Sequence, residues 1–426
     1  GGSNPPSGSI DGERVPLGWC PMTGTGPRPT LAEIAARTPA DRDRYVDFLR
    51  AVSIVTVVLG HWAISMIWWH DGLITTSNAI GVTPGLWLAT WFLQVMPIFF
   101  FVGGFSNLVT YDAFRRRGRS TGEFLRTRAA RLLAPSVVFL GAWTVVQVAL
   151  HLLDVGRGTG FRVWGDTWFL RGVKPPGATV PFGPLWFLPA YLLVIALAPL
   201  MLRLHRRFGL GVVIALTGAA IAVDAVAFIG QLHVVRYLNI LWVWLLPHQI
   251  GFFYGDGRMQ RMSRRRLWGM ALGGMAAMIL LTNPPVFVGH GPELFHGLES
   301  YPKSLLGTEN EPMVNTYPPT IVLVAMTYWV IGVAMLLRER AQTWLARSSR
   351  AWMFAIWANA NIMTMYLWHM TAFLVAILLL WPLGLGREHL PTAAFWWQRL
   401  VFWAVPGATL LGFLRMFGRF ERPRNG

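Results

Sequence analysis

The stretch RYVDFLRAVSIVTVVLGHW, residues 44–62, decides the fold class of this chain. It belongs to an apolar run over residues 46–69, which is long enough to cross a bilayer because a spanning helix needs about 20 residues. Nine more apolar segments follow it, at 84–110, 129–152, 184–202, 209–230, 237–255, 267–288, 317–337, 358–381 and 395–415. The sequence therefore predicts an all-α, polytopic membrane protein with about ten transmembrane helices.

The composition agrees with a membrane-embedded chain. Of the 426 residues, 54% are hydrophobic and only 13% are charged, whereas soluble domains carry about 25% charged residues. This balance excludes a soluble globular enzyme and a disordered chain. The single cysteine, Cys20, excludes an internal disulfide framework and a cysteine-rich metal site. Since no histidine pair has the close spacing of metal ligands either, we predict no metal.

The distribution of arginine predicts the orientation in the membrane. Arginine clusters lie between alternate apolar segments, whereas the intervening loops carry no basic residue in 70–83 and only Lys303 in 289–316. Basic loops stay in the cytoplasm, so both termini are expected there. Loop 153–183, which has four basic residues, is the exception. The same asymmetry accounts for the net charge of +17, and nucleic acid is therefore not expected as a partner.

Three parts are expected along the chain. Residues 1–44 are rich in proline, glycine, threonine and arginine, which predicts a flexible cytoplasmic tail. Residues 45–416 form the transmembrane domain, and residues 417–426 form a short basic cytoplasmic tail.

The first predicted span contains three ionisable residues, Asp47, Arg50 and His61. Such residues cost several kcal/mol inside a membrane, so each is a functional hypothesis. Asp47 and Arg50 are three residues apart and can pair on one helix face. Arg50 and His61 share a face as well, because eleven residues make about three turns, with a rise of about 16 Å. An anionic donor that enters from the cytoplasm and reacts at mid-membrane would need this arrangement. Two other interpretations stay open: Arg50 can reach lipid headgroups, and His61 can bond a carbonyl at the interface.

Several motifs together resemble the acyltransferase-3 family of integral membrane O-acyltransferases. That family has a basic residue and a histidine separated by ten residues, as in Arg50 and His61. Further matches to its motifs are FFFVGGF at 99–105, Arg128-x-x-Arg131, GPLWFL at 183–188 and YLWH at 366–369. The resemblance covers residues 42–415.

The resemblance implies a multi-pass enzyme of the bacterial inner (plasma) membrane. It would take an acyl group, commonly acetyl, from cytoplasmic acyl-CoA (acetyl-CoA) and deliver it to a hydroxyl of an extracytoplasmic glycan or glycolipid of the cell envelope. Its partners would then be acyl-CoA, that acceptor and the lipid bilayer. Acyl-CoA would be a donor substrate, and no permanently bound cofactor is expected.

Acyl transfer to an alcohol needs a base for the hydroxyl. His61 is assigned this catalytic role, or that of a nucleophile that forms an acyl-imidazole. Asp224, late in the fifth span, is the second catalytic candidate, because a carboxylate can orient a catalytic imidazole. It could instead bind acceptor hydroxyls, or it could have a structural role as the partner of an amide or imidazole in the sixth span.

Coenzyme A is a polyanion, and arginine binds phosphate through two nitrogens at once. Arg50, Arg128 and Arg131 are therefore expected to bind the donor, although Arg128 and Arg131 could simply set the topology. Trp186 and Tyr191 are expected where the acceptor arrives, with the interfacial aromatic belt as the alternative. The final substrate-binding candidates are Asn361, Tyr366 and His369. Together with Asn359 they form a polar stripe that would line the donor tunnel or bond neighbouring helices.

Two other classes of protein, a transporter and a receptor, fit this sequence less well. A transporter or flippase of a polar lipid or sugar would also have ionisable residues at mid-membrane. It would favour inverted repeats, and the sequence has no internal repeat. A receptor without chemistry would have no need for an arginine and a deeper histidine on one face.

Overall fold

The structure is a computed structural model that describes residues 30–39, 42–70, 73–152, 183–282, 301–306, 314–388 and 390–421. Most of the first predicted tail (1–29 and 40–41), the end of the second (422–426) and the end of the seventh predicted span (283–288) lie outside the described residues. Within the described part, the chain is almost entirely helical, as the sequence predicts.

The helices and strands are labelled in chain order. They are α1 (Leu31–Ala36), α2 (Arg44–Ile64), β1 (Ser65–His70), β2 (Leu73–Asn78), α3 (Ala79–Val82), α4 (Trp87–Leu93), α5 (Met96–Arg116), α6 (Thr121–Leu152), α7 (Phe187–Phe208), α8 (Leu210–Phe228), α9 (Asn239–Gly255), α10 (Arg264–Thr282), α11 (Ile321–Arg347), α12 (Ser349–Ala360), α13 (Ile362–Leu380), α14 (Ala393–Gln398) and α15 (Val401–Phe417). Short 3-10 helices lie at Gly183–Trp186, His233–Leu238, Met259–Arg261, Trp381–Leu383 and Gly418–Phe420.

Eight helical segments in the described residues are long and apolar enough to cross a membrane. They are Arg44–Ile64, Trp87–Arg116, Thr121–Val146, Gly183–Phe208, Leu210–Phe228, Ile321–Arg347, Ile362–Leu383 and Ala393–Phe420. Helix α9, with 17 residues, and α10 are not among them. The all-α, polytopic architecture is confirmed, while the count of about ten and the cytoplasmic termini stay predictions.

The first predicted span is shorter than expected. Its helix ends at Ile64, and residues 65–69, which were expected to be helical, belong to an antiparallel hairpin. In the hairpin Ser65 pairs with Asn78 and His70 pairs with Leu73. Aromatic and β-branched residues, in which both segments are rich, favour strands. The apolar run alone does not distinguish these residues from the helix before them.

The second predicted span is divided into two helices. α4 ends at Leu93, and α5 begins at Met96, with Pro97 in its first turn. Proline is tolerated there because the first amides of a helix have no partner within the helix. The Gln94 side chain accepts a hydrogen bond from the Met96 amide at 3.3 Å and satisfies one of these free donors.

The glycines of the FFFVGGF run let α5 and α9 pack backbone to backbone. A Cβ atom on Gly104 would lie 1.9 Å from the His248 carbonyl oxygen, and one on Gly251 would lie 2.1 Å from the Phe101 oxygen. Small residues at a crossing allow such close approach in membrane proteins. The contact places the two helices in one rigid pair, which forms part of the larger hydrophobic core.

A second hydrophobic cluster holds α2 against α13. Ile54, Val58 and Trp62 of α2 belong to this cluster, together with residues along most of α13. Trp62 Nε1 also donates a hydrogen bond of 2.9 Å to the His369 carbonyl oxygen. Packing and hydrogen bonding therefore fix the opening helix beside the helix that carries the YLWH motif.

The first predicted tail includes one short helix. Thr30 and Glu33 form a reciprocal capping box at the start of α1. After the helix, Thr38 accepts a hydrogen bond of 3.0 Å from Trp352 Nε1 of α12. This part of the tail is thus attached to the helical domain.

Candidate active site

A cavity of about 1360 Å³ follows α2. Residues from Asp47 to Ile64 of α2 line it, which corresponds to roughly 25 Å at 1.5 Å per residue. We call one end the arginine-rich end, because its lining includes Arg37, Arg42, Arg50, Arg116, Arg128, Arg131, Arg206 and Arg258. The far end is mainly apolar and is lined by Ile80, Leu86, Ala89, Thr90, Leu93 and Leu306.

His61 lies in the cavity wall between these two ends. It is half-buried, and its Nδ1 atom is 3.2 Å from Nε2 of His369 on α13. The two imidazole rings are 5.1 Å apart between centroids. His369 is fully buried and lies behind His61 rather than in the cavity wall, so it has the second of the two roles left open for it, a contact with a neighbouring helix. The structure therefore brings two predicted site residues together, with only His61 facing the cavity.

The predicted pair of Asp47 and Arg50 is confirmed. Arg50 Nη1 lies 3.7 Å from Asp47 Oδ1, and Arg42 Nε donates to Asp47 Oδ2 at 2.6 Å. Arg50 Nη2 also donates to Ser106 Oγ of α5 at 2.6 Å. The buried carboxylate holds two guanidinium groups at the cavity wall and offsets part of their charge.

Arg128 and Arg131 both line the cavity from α6, as Arg50 does from α2. The Nε and Nη2 atoms of Arg128 are buried and have no hydrogen-bond partner among the described residues. Buried polar groups normally have a partner, and a charged group without one is strongly disfavoured. An anion bound in the cavity would accept hydrogen bonds from these two nitrogens of Arg128.

Glu421 fixes the start of α13, the helix that carries Tyr366 and His369. Its carboxylate accepts hydrogen bonds from the backbone amides of Met363 at 2.8 Å and Thr364 at 3.0 Å. Negative charge is favourable at a helix N-terminus. Burial raises the pKa of the Glu421 carboxyl, and the two amides and Arg131 partly counteract that shift.

Three of the five predicted substrate-binding residues lie in the cavity wall: Trp186, Tyr191 and Tyr366. The Tyr191 ring stacks on Phe187 with centroids 5.3 Å apart, and Tyr366 donates from its hydroxyl to the Pro184 oxygen at 2.6 Å. Asn361, in contrast, is buried where α12 meets α13, and its amide donates to the Trp357 oxygen at 2.8 Å. His369, as described above, lies behind the wall.

Asp224 belongs to a different buried cluster. Its Oδ1 accepts from Asn239 at 2.8 Å, and its Oδ2 accepts from the Tyr301 hydroxyl and the Ile321 amide, each at 2.9 Å. Burial and the Asp224 carboxylate raise the pKa of Tyr301. Among the described residues, no hydrogen bond joins Asp224 to His61, so the structure does not bring the two predicted catalytic residues together.

Ser106 lines the cavity and was not proposed as a site residue from the sequence. Ser106 follows FFFVGGF directly, and a hydroxyl in that apolar helix was the available signal. Asn359, which the sequence predicts in the polar stripe of the ninth span, also lines the cavity, and its amide donates to the Asp47 backbone oxygen at 2.7 Å. In the described part of the chain, no three histidine, cysteine or acidic residues are grouped so that they could hold a metal ion.

Comparison with known proteins gives one match. The profile of the acyltransferase-3 family, described as an acyltransferase domain, matches residues 43–414. No curated protein and no solved structure matches the chain. The matched region contains the whole of α2 and continues almost to the end of α15. With its apolar spanning helices, the chain therefore belongs to the acyltransferase-3 family and is a multi-pass membrane acyltransferase.

Proposed function

We propose that the protein is a membrane O-acyltransferase, with acetyl-CoA as its default donor, that acylates a hydroxyl of an envelope glycan or glycolipid. The observation that carries this proposal is the position of His61, in the wall of a single cavity that has arginines at one end and apolar residues at the other. A thioester from one end and an alcohol from the other would meet at this imidazole.

The arginine-rich end suits the phosphates of coenzyme A. Its lining holds eight arginine side chains against four aspartates, Asp43, Asp47, Asp112 and Asp256, so positive charge is in excess. Arg128 has buried nitrogens that need an acceptor, and planar guanidinium groups bind phosphate oxygens in pairs. The pantetheine arm would then extend along α2 from Arg50 towards His61.

The reaction requires His61 to accept a proton and then to donate it. His61 takes the proton of the acceptor hydroxyl while the oxygen attacks the thioester carbonyl carbon. The carbon–sulfur bond then breaks, and the thiolate that leaves receives the proton from His61. The imidazole is thus regenerated, and the products are an ester and free coenzyme A.

The expected orientation puts the arginine-rich end in the cytoplasm of a bacterial cell, since basic loops stay inside. The donor would come from the cytoplasm and the acceptor from the envelope side of the inner membrane. A long cavity also suits a transporter, but membership of the acyltransferase-3 family favours acyl transfer.

Envelope composition tests this proposal. Lipids and glycans of a deletion strain are compared by mass spectrometry with those of strains that carry the wild-type protein or His61→Ala. Only the wild type should restore a species heavier by one acetyl group in place of a hydrogen. If the restored species carries a different added mass, the donor is a different acyl-CoA and not acetyl-CoA. Restoration by His61→Ala would overturn the role of His61, and an unchanged envelope in the deletion strain would overturn the proposed acceptor class.

A further inference from the structure

The direction of the hydrogen bond between the two histidines is determined by a backbone carbonyl group beside His369. His369 Nδ1 lies 2.7 Å from the backbone oxygen of Tyr366, three residues earlier on α13. A carbonyl oxygen can only accept a hydrogen bond, so His369 Nδ1 must carry the hydrogen.

A neutral imidazole has one N–H group, so Nε2 of His369 is left as an acceptor. This atom is 3.2 Å from His61 Nδ1. The contact is a hydrogen bond only if His61 Nδ1 donates to it. His61 Nε2 then has no hydrogen and keeps its lone pair for a proton from substrate.

We propose that His369 is a positioning residue, which holds His61 in the tautomer with a bare Nε2 atom, and this assignment rests on the proposed function. When His61 has taken the proton of the acceptor, its Nδ1–H donates from a cation, and such charge-assisted hydrogen bonds are stronger than neutral ones. His369 therefore stabilises the protonated base without carrying charge itself.

A neutral partner suits the position of this pair. His369 is completely buried on a helix that is apolar enough to span the membrane. The carboxylate that orients the base in many hydrolytic triads would have to be desolvated there, which is costly. An imidazole supplies the acceptor atom at a smaller desolvation cost because it is uncharged.

The two helices that carry the histidines are also fixed relative to each other. Trp62 Nε1 bonds the His369 carbonyl, as described above, and Arg399 donates at 3.2 Å to the backbone oxygens of both Trp62 and Ser65 at the end of α2. The acceptors of these bonds are backbone oxygens. They remain available when the His369 side chain alone is changed, so a variant at that position isolates the imidazole contact.

The test compares two substitutions of His369 in the full-length protein. His369→Gln keeps an amide oxygen that can accept from His61 Nδ1, whereas His369→Leu fills the space without an acceptor. Membranes of the deletion strain that carry each variant are given radiolabelled acetyl-CoA, and label transfer to envelope lipids and glycans is followed. Thr371→Val is the matched control, because it removes another buried hydrogen bond from α13, that of Trp143 to Thr371.

For His369→Leu we expect kcat to fall on the order of 100-fold or more, as when an orienting partner of a base is lost. KM for acetyl-CoA should stay within about twofold. His369→Gln should keep at least about ten times more activity than His369→Leu, because it restores an acceptor for the His61 proton. The Thr371→Val control should stay close to the wild type.

Three results would overturn the assignment: full kcat in His369→Leu, equal losses in the Leu and Gln variants, or a loss that is matched by weaker acetyl-CoA binding to the purified protein. In the double variant with His61→Ala, the His369→Leu change should have no further effect, because the two residues act as a unit. If His61→Ala itself keeps full activity, the role of His61 in the proposed function is contradicted. That outcome is distinct from a failure of His369 alone.

Discussion

Asp224 and His61 are both ionisable side chains within apolar helices, but their surroundings differ. Both oxygens of Asp224 are occupied, by the Asn239 amide, the Tyr301 hydroxyl and the Ile321 backbone amide. His61 has a side-chain hydrogen bond with His369 and faces a cavity. Asp224 uses three of its acceptor sites inside the protein and does not line the cavity, whereas His61 faces the cavity and can contact a ligand there.

This difference separates the two reasons for which a membrane protein contains an ionisable residue. A carboxylate with three donors joins α8 to α11 and to the Tyr301 segment, so its role is to hold helices together. An imidazole beside a cavity can exchange a proton with a ligand. The sequence showed that both residues are unusual, and only their partners show which role each has.

The largest expected effect is that of His61→Ala on acyl transfer. Removing a general base lowers the rate by about 100- to 10,000-fold, while the thermal stability should change little because His61 is at a cavity wall. Turnover with labelled acetyl-CoA and the melting temperature are measured on the same preparation. His233→Ala, an exposed histidine of the 3-10 helix His233–Leu238, is the control. An equal loss in both variants would remove the distinction drawn for His61.

The next effect is that of Asp224→Ala on stability. The change leaves three buried donors without an acceptor, at about 1–3 kcal/mol for each group that stays unsatisfied. We expect a clear drop in melting temperature, with kcat of the folded fraction within about twofold of the wild type. Asp224→Asn, which keeps one acceptor oxygen, should lose less stability. A loss of kcat at unchanged melting temperature would give Asp224 the catalytic role that the sequence suggested.

Arg128→Ala should weaken donor binding. Charge-assisted hydrogen bonds contribute about 1.5–3 kcal/mol, which corresponds to an increase in the dissociation constant of coenzyme A of about 10- to 100-fold. Binding of coenzyme A to the purified protein is measured by calorimetry. Arg126→Ala, an exposed arginine on the same helix, should bind as the wild type does. Equal affinities for both variants would mean that the buried nitrogens of Arg128 do not meet the donor.

The smallest effect is expected for Tyr301→Phe. It removes one of the three donors to Asp224 and leaves the ring in place, so stability should fall by about 1 kcal/mol. The melting temperature should lie between those of the wild type and Asp224→Ala. If Tyr301→Phe is as unstable as Asp224→Ala, the hydrogen bond from Tyr301 accounts for the whole contribution of Asp224 to stability.

The sequence was sufficient where the relevant residues are close along the chain. The Asp47 and Arg50 pair and the all-α class follow from helix periodicity and apolar runs, and both are confirmed. It was insufficient where partners are distant, since His61 and His369 are 308 positions apart and Asp224 and Ile321 are 97 apart. The hairpin after Ile64 was missed because an apolar run of strand residues resembles the end of a helix.

The position of Glu421 affects how the protein can be shortened or tagged. The family profile ends at residue 414, yet the carboxylate seven positions later caps the helix that bears His369. A protein trimmed at the profile boundary would keep every motif and lose the group that secures the start of α13. Affinity tags for purification therefore belong beyond Glu421, with the native residues up to it left intact.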